Sequence, residues 1–489
     1  MARKAHQKVR TGCITCKARR VKCDETHPRC IKCTSTGREC DGYRAPPPGS
    51  FSWDELLYIQ PCTVPDADRT ELRSLAFFRE AVAPVLSGPL GRSFWTGLVN
   101  QAAHQEPAAR HAAVAISALY EQFGQGAWES VAPYRDGFAI QHYNRAIKSV
   151  INLQEPKSGQ LDSVIIVCVL FDCIEFLRGN TEAAVQHYRY GIRLLNSTCR
   201  NTELLAIFRH LSIFPLFFVS DLSTLPPLSA AGCPSPAGPF RSLAQAQESM
   251  DWLTCQGLKL ARERNRQSLV QVQKQIDRSL NAWSSAMAKF KAEQDSAVVK
   301  GALYRMLEVR WLLCKMWVNA CTDQNETTYD KYMDNFERIV EISQQVQSSA
   351  SDGSSPPRFA FEMGFAPLLY FVVIKCRNLS LRLKALSLMK TISCPREMLW
   401  DSDVMTRIGL QIIEKEHGIK LTPGRIAELK RTDKYAPLPP EDCRIRDSVP
   451  EEEDMRVKSN SDGANSGKSR LSFHCPTAGN EVEAIRDGP

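Results

Sequence analysis

Residues 12–43 read GCITCKARRVKCDETHPRCIKCTSTGRECDGY, and six of the chain's 18 cysteines fall inside them. Cys13-x2-Cys16-x6-Cys23 is followed, after six further residues, by Cys30-x2-Cys33-x6-Cys40. One short pattern is thus written twice. The other cysteines are scattered over the rest of the chain with no shared spacing.

Zinc in a structural site takes four ligands in a tetrahedron, and cysteine thiolate is a common one. Six cysteines supply one such site with two sulfurs to spare, or two sites if two sulfurs bridge. Two zinc ions need eight sulfur contacts, which four terminal and two bridging thiolates provide. The duplication makes Cys13 and Cys30, the leading residue of each half, the natural bridges. Cys16 and Cys23 then complete the first site, and Cys33 and Cys40 the second. Six thiolates around two divalent ions carry a net charge of −2, which basic neighbours stabilise. A segment this short has almost no apolar core, so metal binding must supply its folding free energy.

The ligands are duplicated but the charge is not. KARRVK, between Cys16 and Cys23, holds Lys17, Arg19, Arg20 and Lys22, whereas TSTGRE, between Cys33 and Cys40, has no net charge. The asymmetry extends to the whole chain. Residues 1–45 contain twelve Lys and Arg against four Asp and Glu, a net of +8. That equals the charge of the full 489 residues, so the rest of the chain is neutral. A small basic module ahead of a neutral body is the electrostatic footprint of a nucleic-acid binder, here double-stranded DNA. Arginine suits bidentate recognition of guanine edges, and lysine suits phosphates.

Other uses of the cysteines fit less well. The opening MARKAHQKVR has no apolar segment behind it, so it does not read as a secretory signal, and an intracellular chain with reduced thiols is expected. A disulfide framework is then disfavoured. Ferredoxin-type clusters use other spacings and leave the basic run unexplained. The longest apolar runs, Val164–Phe171, Phe214–Val219 and Ala366–Ile374, are too short to cross a bilayer, so no membrane partner is expected.

These residues closely resemble the fungal binuclear zinc cluster DNA-binding domain. The match covers all six cysteines, the basic run, the KCD tripeptide at 22–24 and the linker proline Pro28. The resemblance implies two short helices around two Zn2+ ions, with the first helix in the major groove over a CGG-type half-site. By position, Arg20 is the principal base-reading residue, and Arg19 and Lys22 flank it on the DNA side. It further implies a nuclear transcription regulator of RNA polymerase II genes, with the transcription machinery or co-regulators as partners.

Beyond Tyr43, RAPPPGS opens a proline-rich linker over 44–60, and residues 61–425 read as helical. Asn180 can cap a segment in which Val185, Tyr188, Ile192 and Leu195 recur at helical spacing. Val299, Leu303, Met306, Leu313 and Trp317 repeat the pattern, with Arg310 as a polar interruption. No alternating run argues for a sheet. PPLSAAGCPSPAGP at 226–239 breaks the body into two helical halves. LFDCIEFLRGNTEAAVQHYRYGIRLL (170–195) and CPREMLWDSDVMTRIG (394–409) resemble the fungal transcription-factor regulatory domain, which implies an all-α array used for regulation. A scaffold of tetratricopeptide-type repeats is the alternative, but no 34-residue period is found.

Leu269, Val272, Ile276, Trp283 and Phe290 fit the seam of a coiled coil, weakened by Ser279 and Ala286, and read better as a helix packed inside the body. A homodimer through the helical body stays open. No nucleophile elbow, phosphate loop, dinucleotide fingerprint or metalloprotease motif occurs, so no catalytic residue is assigned and an enzyme is not expected. From 426 to 489 the chain turns polar and reads as a disordered tail. The expected protein is mostly α: a two-zinc head over 1–43, a large all-α regulatory domain, and a polar tail. The competing readings are a scaffold whose zinc head binds protein or RNA, and a helical enzyme with an appended finger.

Overall fold

The computed structural model describes residues 12–26, 28–43, 68–88, 91–124, 137–152, 161–198, 201–228, 238–263, 269–294, 296–349, 357–422, 424–426, 429, 437–450 and 471–474. The chain divides into two compact units, one within Met1–Ala67 and one within Asp68–Pro489. The linker expected over 44–60 lies outside the described residues.

The first unit contains two one-turn helices, α1 (Ile14–Ala18) and α2 (Ile31–Thr34). Each starts at a cysteine whose sulfur takes the place of a conventional capping oxygen. Cys13 Sγ accepts from the Cys16 N–H at 3.3 Å, and Cys30 Sγ from the Cys33 N–H at 3.3 Å. The sulfur satisfies a donor that a helix start leaves without an internal partner.

The second unit is built from helices. Its first half holds α3 (Arg69–Phe77), α4 (Val99–Gln105), α5 (Pro107–Gly124), α6 (Gly137–Ile151), α7 (Leu161–Arg178), α8 (Thr181–Thr198) and α9 (Thr202–Leu211). Its second half holds α10 (Leu243–Arg262), α11 (Leu269–Glu293), α12 (Ala302–Ala320), α13 (Met333–Ser349), α14 (Phe365–Lys375), α15 (Leu379–Ile392) and α16 (Ser402–His417). The N-terminus of α3 is a capping box. The Asp68 carboxylate accepts from the N–H groups of Thr70 and Glu71 at 2.7 and 2.8 Å, and Glu71 accepts from the Asp68 N–H at 3.3 Å.

Helix α7 is the centre of the first half. Every residue from Ile165 to Leu177 is buried, as a helix apolar on nearly all sides requires, with Asp172 and Glu175 the two acidic exceptions to that apolar surface, and the helix packs between α5 and α8. Asn180 caps α8 as expected, accepting from the Ala183 N–H at 3.2 Å, and Val185, Tyr188, Ile192 and Leu195 form its buried stripe. Gly191 lets α8 approach α9, because a Cβ there would stand 2.3 Å from Phe208 Cζ.

Residues 229–237 of the proline-rich break lie outside the described residues, and the helices on either side share one apolar core. Arg310, the polar interruption in α12, is buried and joins Asp251 of α10 at 2.7 Å and the Thr254 hydroxyl at 3.0 Å. Along α11, Leu269, Ile276, Trp283 and Phe290 are buried against α10 and α12, while Val272 is exposed, so this helix packs inside the unit.

Sequence reading missed a small sheet. Three two-residue strands, β1 (Phe359–Ala360), β2 (Arg396–Glu397) and β3 (Trp400–Asp401), pair parallel and then antiparallel. Strands this short have no period to read. The sheet carries two capping side chains. Arg396 donates to the carbonyls of Phe176 and Leu177 at the end of α7, at 3.4 and 3.5 Å. Glu397 accepts from the N–H groups of Gly364 and Ala366 at the start of α14, at 3.0 and 2.9 Å. The stretches 170–195 and 394–409 therefore meet through Arg396.

The helical unit also continues past residue 425. Around 437–446 the chain returns to it, where Glu441 accepts from the N–H groups of Glu326 and Thr327 at 2.8 Å each. Arg444 makes a two-pronged pair with Asp330 at 2.8 and 2.7 Å, and Ile445 is buried. Beneath lies a buried ionic network. Glu416 joins Arg377 at 3.2 Å and Arg382 at 2.6 Å and accepts from the Ile445 N–H at 2.7 Å. Glu326 joins Lys375 at 2.9 Å and Arg377 at 3.0 Å. The tail expected from 426 thus includes a docked segment that charge alone made look solvated. Asp447–Pro450 pairs antiparallel with Leu471–His474. The remainder of the expected tail is outside the described residues.

Two substitutions test this packing. Gly191→Ala drives a methyl into Phe208 and lowers stability by about 1–3 kcal/mol, read as an earlier thermal or urea transition. Glu416→Ala leaves Arg377 and Arg382 buried without their shared partner. It costs about 3–5 kcal/mol and speeds amide exchange in 437–446.

Candidate metal centre and nucleic-acid interface

All six cysteines of the head are buried in one core, with Tyr43 the only other apolar side chain packed against it among the described residues. Their sulfurs fall into two overlapping groups of four. Cys13, Cys16, Cys23 and Cys30 lie within 4.8 Å of one another, as do Cys13, Cys30, Cys33 and Cys40. The groups share Cys13 and Cys30, whose sulfurs are 3.6 Å apart. Further edges are Cys13–Cys33 at 3.8 Å and Cys16–Cys30 at 3.7 Å. A tetrahedron with zinc–sulfur bonds of about 2.3 Å has edges of about 3.8 Å, so the spacing fits the metal.

Sulfurs this close repel as thiolates. Burial pushes the Cys16 thiol well above its ordinary range, and neighbouring cysteines add to the effect. Burial acts in the same sense on Cys23, but N–H donors from Cys13 and Glu25, with the Tyr43 hydroxyl, bring it down to about 7. The Tyr43 hydroxyl also donates to the Thr26 carbonyl at 3.0 Å.

The halves clasp each other through residues that the sequence reading did not assign. Asp24, directly after Cys23, accepts from the N–H groups of Ile31 and Lys32 at 3.0 and 2.6 Å and so caps α2. Asp41, directly after Cys40, accepts from the Thr15 hydroxyl at 2.8 Å on α1. The Ile14 N–H donates to the Gly42 carbonyl at 2.9 Å. The last cysteine of each half therefore leads into an aspartate that holds the other half's helix. A repeated Cys-Asp pair at matching positions was the available signal.

The basic run occupies the end of α1 and the irregular segment after it. Lys17 lies in the last turn of the helix, Arg19 at its C-cap, and Arg20 and Lys22 beyond it. Lys17, Arg20 and Lys22 are exposed, and Arg19 is half-buried with its Nη1 screened from solvent and without a protein partner. Arg20 takes the left-handed conformation at φ 56°. For a residue with a Cβ this costs roughly 1–2 kcal/mol.

Among the described residues, one other group has ligand-type side chains together. Glu71, His111 and His142 converge in the helical unit. Within it Arg145 donates to Glu71 at 3.1 Å, the two histidine Nδ1 atoms share a hydrogen bond of 3.1 Å, and His142 Nε2 lies 3.5 Å from Glu71. This group links α3 to α5 and α6.

Comparison with known proteins agrees with the geometry of the head. The family model described as the fungal Zn(2)-Cys(6) binuclear cluster domain matches residues 11–50. An aspercryptin biosynthesis cluster-specific transcription regulator of Emericella nidulans is 25% identical, over 83% of this chain and 87% of its own length. A transcription regulator of Purpureocillium lilacinum is 28% identical over 37% of this chain and 48% of its own. The transcriptional regulatory protein moc3 of Schizosaccharomyces pombe is 60% identical, over 8% of this chain and 7% of its own. No solved structure matches the chain. Residues 11–50 thus match a fungal binuclear zinc cluster head whose six clustered thiols take two zinc ions, and together with relatives that regulate transcription this supports a DNA-binding transcription regulator.

Proposed function

We propose that the head reads a CGG-type half-site in the major groove and that the chain thereby controls RNA polymerase II genes in the nucleus. The observation that carries this reading is the pair of four-sulfur groups sharing Cys13 and Cys30, beside a basic run confined to one half. In this assignment Cys13 and Cys30 would serve both zinc ions, with Cys16 and Cys23 holding the first and Cys33 and Cys40 the second. Zinc when bound supplies charge neutralisation and cross-linking, and no reactive chemistry.

The chain's own residues do the rest. Lys17 and Lys22 neutralise phosphates, which fixes register on the duplex. Arg20 presents a guanidinium whose paired donors match the O6 and N7 acceptors of guanine, with Arg19 beside it. The 34–39 segment, in which Arg38 and Glu39 cancel, makes no comparable electrostatic contribution, so the first half faces DNA and the second supports it.

The helical unit has a regulatory and non-enzymatic role in this reading, contacting co-regulators or the transcription machinery. The relatives' names support it. The first relative's biosynthesis cluster makes a biosynthetic gene set the proposed class of target. A homodimer would place two heads on paired half-sites, and a monomer one.

The zinc-loaded full chain should retard a CGG-containing duplex over scrambled DNA, with affinity falling steeply as salt rises. Arg20→Ala should lower that preference by roughly tenfold to a hundredfold. Unchanged discrimination would remove Arg20 from base reading, and equal binding to RNA would favour a different ligand for the head.

A further inference from the structure

Adding seventeen to a residue number carries the first half of the head onto the second: Cys13 onto Cys30, Cys16 onto Cys33, Cys23 onto Cys40. Among the described residues of the head, four have a left-handed backbone: Arg20 at φ 56°, Glu25 at 61°, Gly37 at 66° and Gly42 at 71°. The same offset pairs Arg20 with Gly37 and Glu25 with Gly42. The second half has glycine at both positions, and the first half has a charged side chain at both.

The turns themselves are the same. The Val21 N–H donates to the Cys16 carbonyl at 3.1 Å, and the Arg38 N–H to the Cys33 carbonyl at 3.1 Å. The Arg20 N–H donates to Lys17 and the Gly37 N–H to Thr34, again at 3.1 Å each. This is the helix ending in which a left-handed residue closes the last turn, a position glycine fills without strain. A Cβ on Gly37 or Gly42 would meet nothing within 4 Å, so the glycines are there for backbone angle and not for space. The architecture thus demands a left-handed residue at 20, and glycine is the unstrained choice its own twin adopts. Arg20 is exposed, and its side chain makes no hydrogen bond or ion pair among the described residues that would offset the strain. Strained residues that nothing local repays mark functional positions.

We propose that the zinc head gives up stability at residue 20: the left-handed turn at the end of α1 is held by an arginine where glycine would be unstrained, because the side chain already assigned to base reading is needed on the duplex. The inference rests on the reading that the first half meets DNA. It adds that recognition and metal retention trade against each other at this one position, and not at its twin.

Three variants of the full, zinc-loaded chain separate backbone strain from contact. Zinc retention is measured by competition with a colorimetric chelator, and DNA preference by the ratio of CGG to scrambled-duplex affinity. Arg20→Gly relieves the strain and removes the side chain. It should hold zinc roughly threefold or more tightly than Arg20→Ala, which keeps a Cβ in the left-handed turn. Both should lose DNA preference by tenfold or more. Gly37→Ala should weaken zinc retention by a similar factor and leave DNA preference unchanged. Equal zinc retention by the glycine and alanine variants at 20 would overturn the inference, as would full DNA preference in Arg20→Gly. Wild-type protein that does not distinguish CGG from scrambled DNA would instead contradict the assigned DNA site, and the zinc measurements would still decide whether residue 20 is strained.

Discussion

The sulfur core of the head is the constraint from which its other features follow. Cys13 and Cys30 stand 3.6 Å apart, and each belongs to a group of four. Two thiolates at that distance repel by about 4 kcal/mol at an effective dielectric of about 20. A segment with Tyr43 as its one flanking apolar contact has little with which to oppose that. Metal reverses the sign, turning the most repulsive part of the head into its cross-link. The helix starts at Cys13 and Cys30, the aspartate clasps and the left-handed turns are all organised around it.

The helical unit solves the opposite problem. It has an apolar core in abundance, with α7 enclosed on every side, and it buries charge as well. Arg310 pairs with Asp251, and Arg377 and Arg382 pair with Glu416, inside the core. Buried pairs of this kind add little net stability compared with apolar replacements, but breaking one partner is costly. They therefore act as register marks. The Glu416 and Glu326 network fixes where α14, α15 and α16 meet and where the 437–446 segment docks.

The parts legible in the sequence were those with a spacing rule. Cysteine intervals picked out the six thiols that cluster in the head, and the charge difference between Cys16–Cys23 and Cys33–Cys40 set its two halves apart. Helical periodicity placed α8 and its cap at Asn180, and it placed α11 inside the unit. What escaped had no period or no local sign. Two-residue strands at 396–397 and 400–401 are too short to alternate. Arg310 and Glu416 look solvated until partners far away in sequence cover them. Residues 437–446 look like tail for the same reason. The strain at Arg20 is a backbone angle, visible in the sequence only by setting each residue beside the one seventeen places later.

The claim that two zinc ions hold the head through six sulfurs, two of them shared, is open to direct measurement. Zinc K-edge X-ray absorption on the full chain, with metal content determined on the same sample, reports the number of ions and their neighbours. The account predicts two zinc ions per chain, each surrounded by four sulfurs at about 2.3 Å, with no nitrogen or oxygen in the first shell. One zinc per chain, or a mixed sulfur and nitrogen shell, would contradict it.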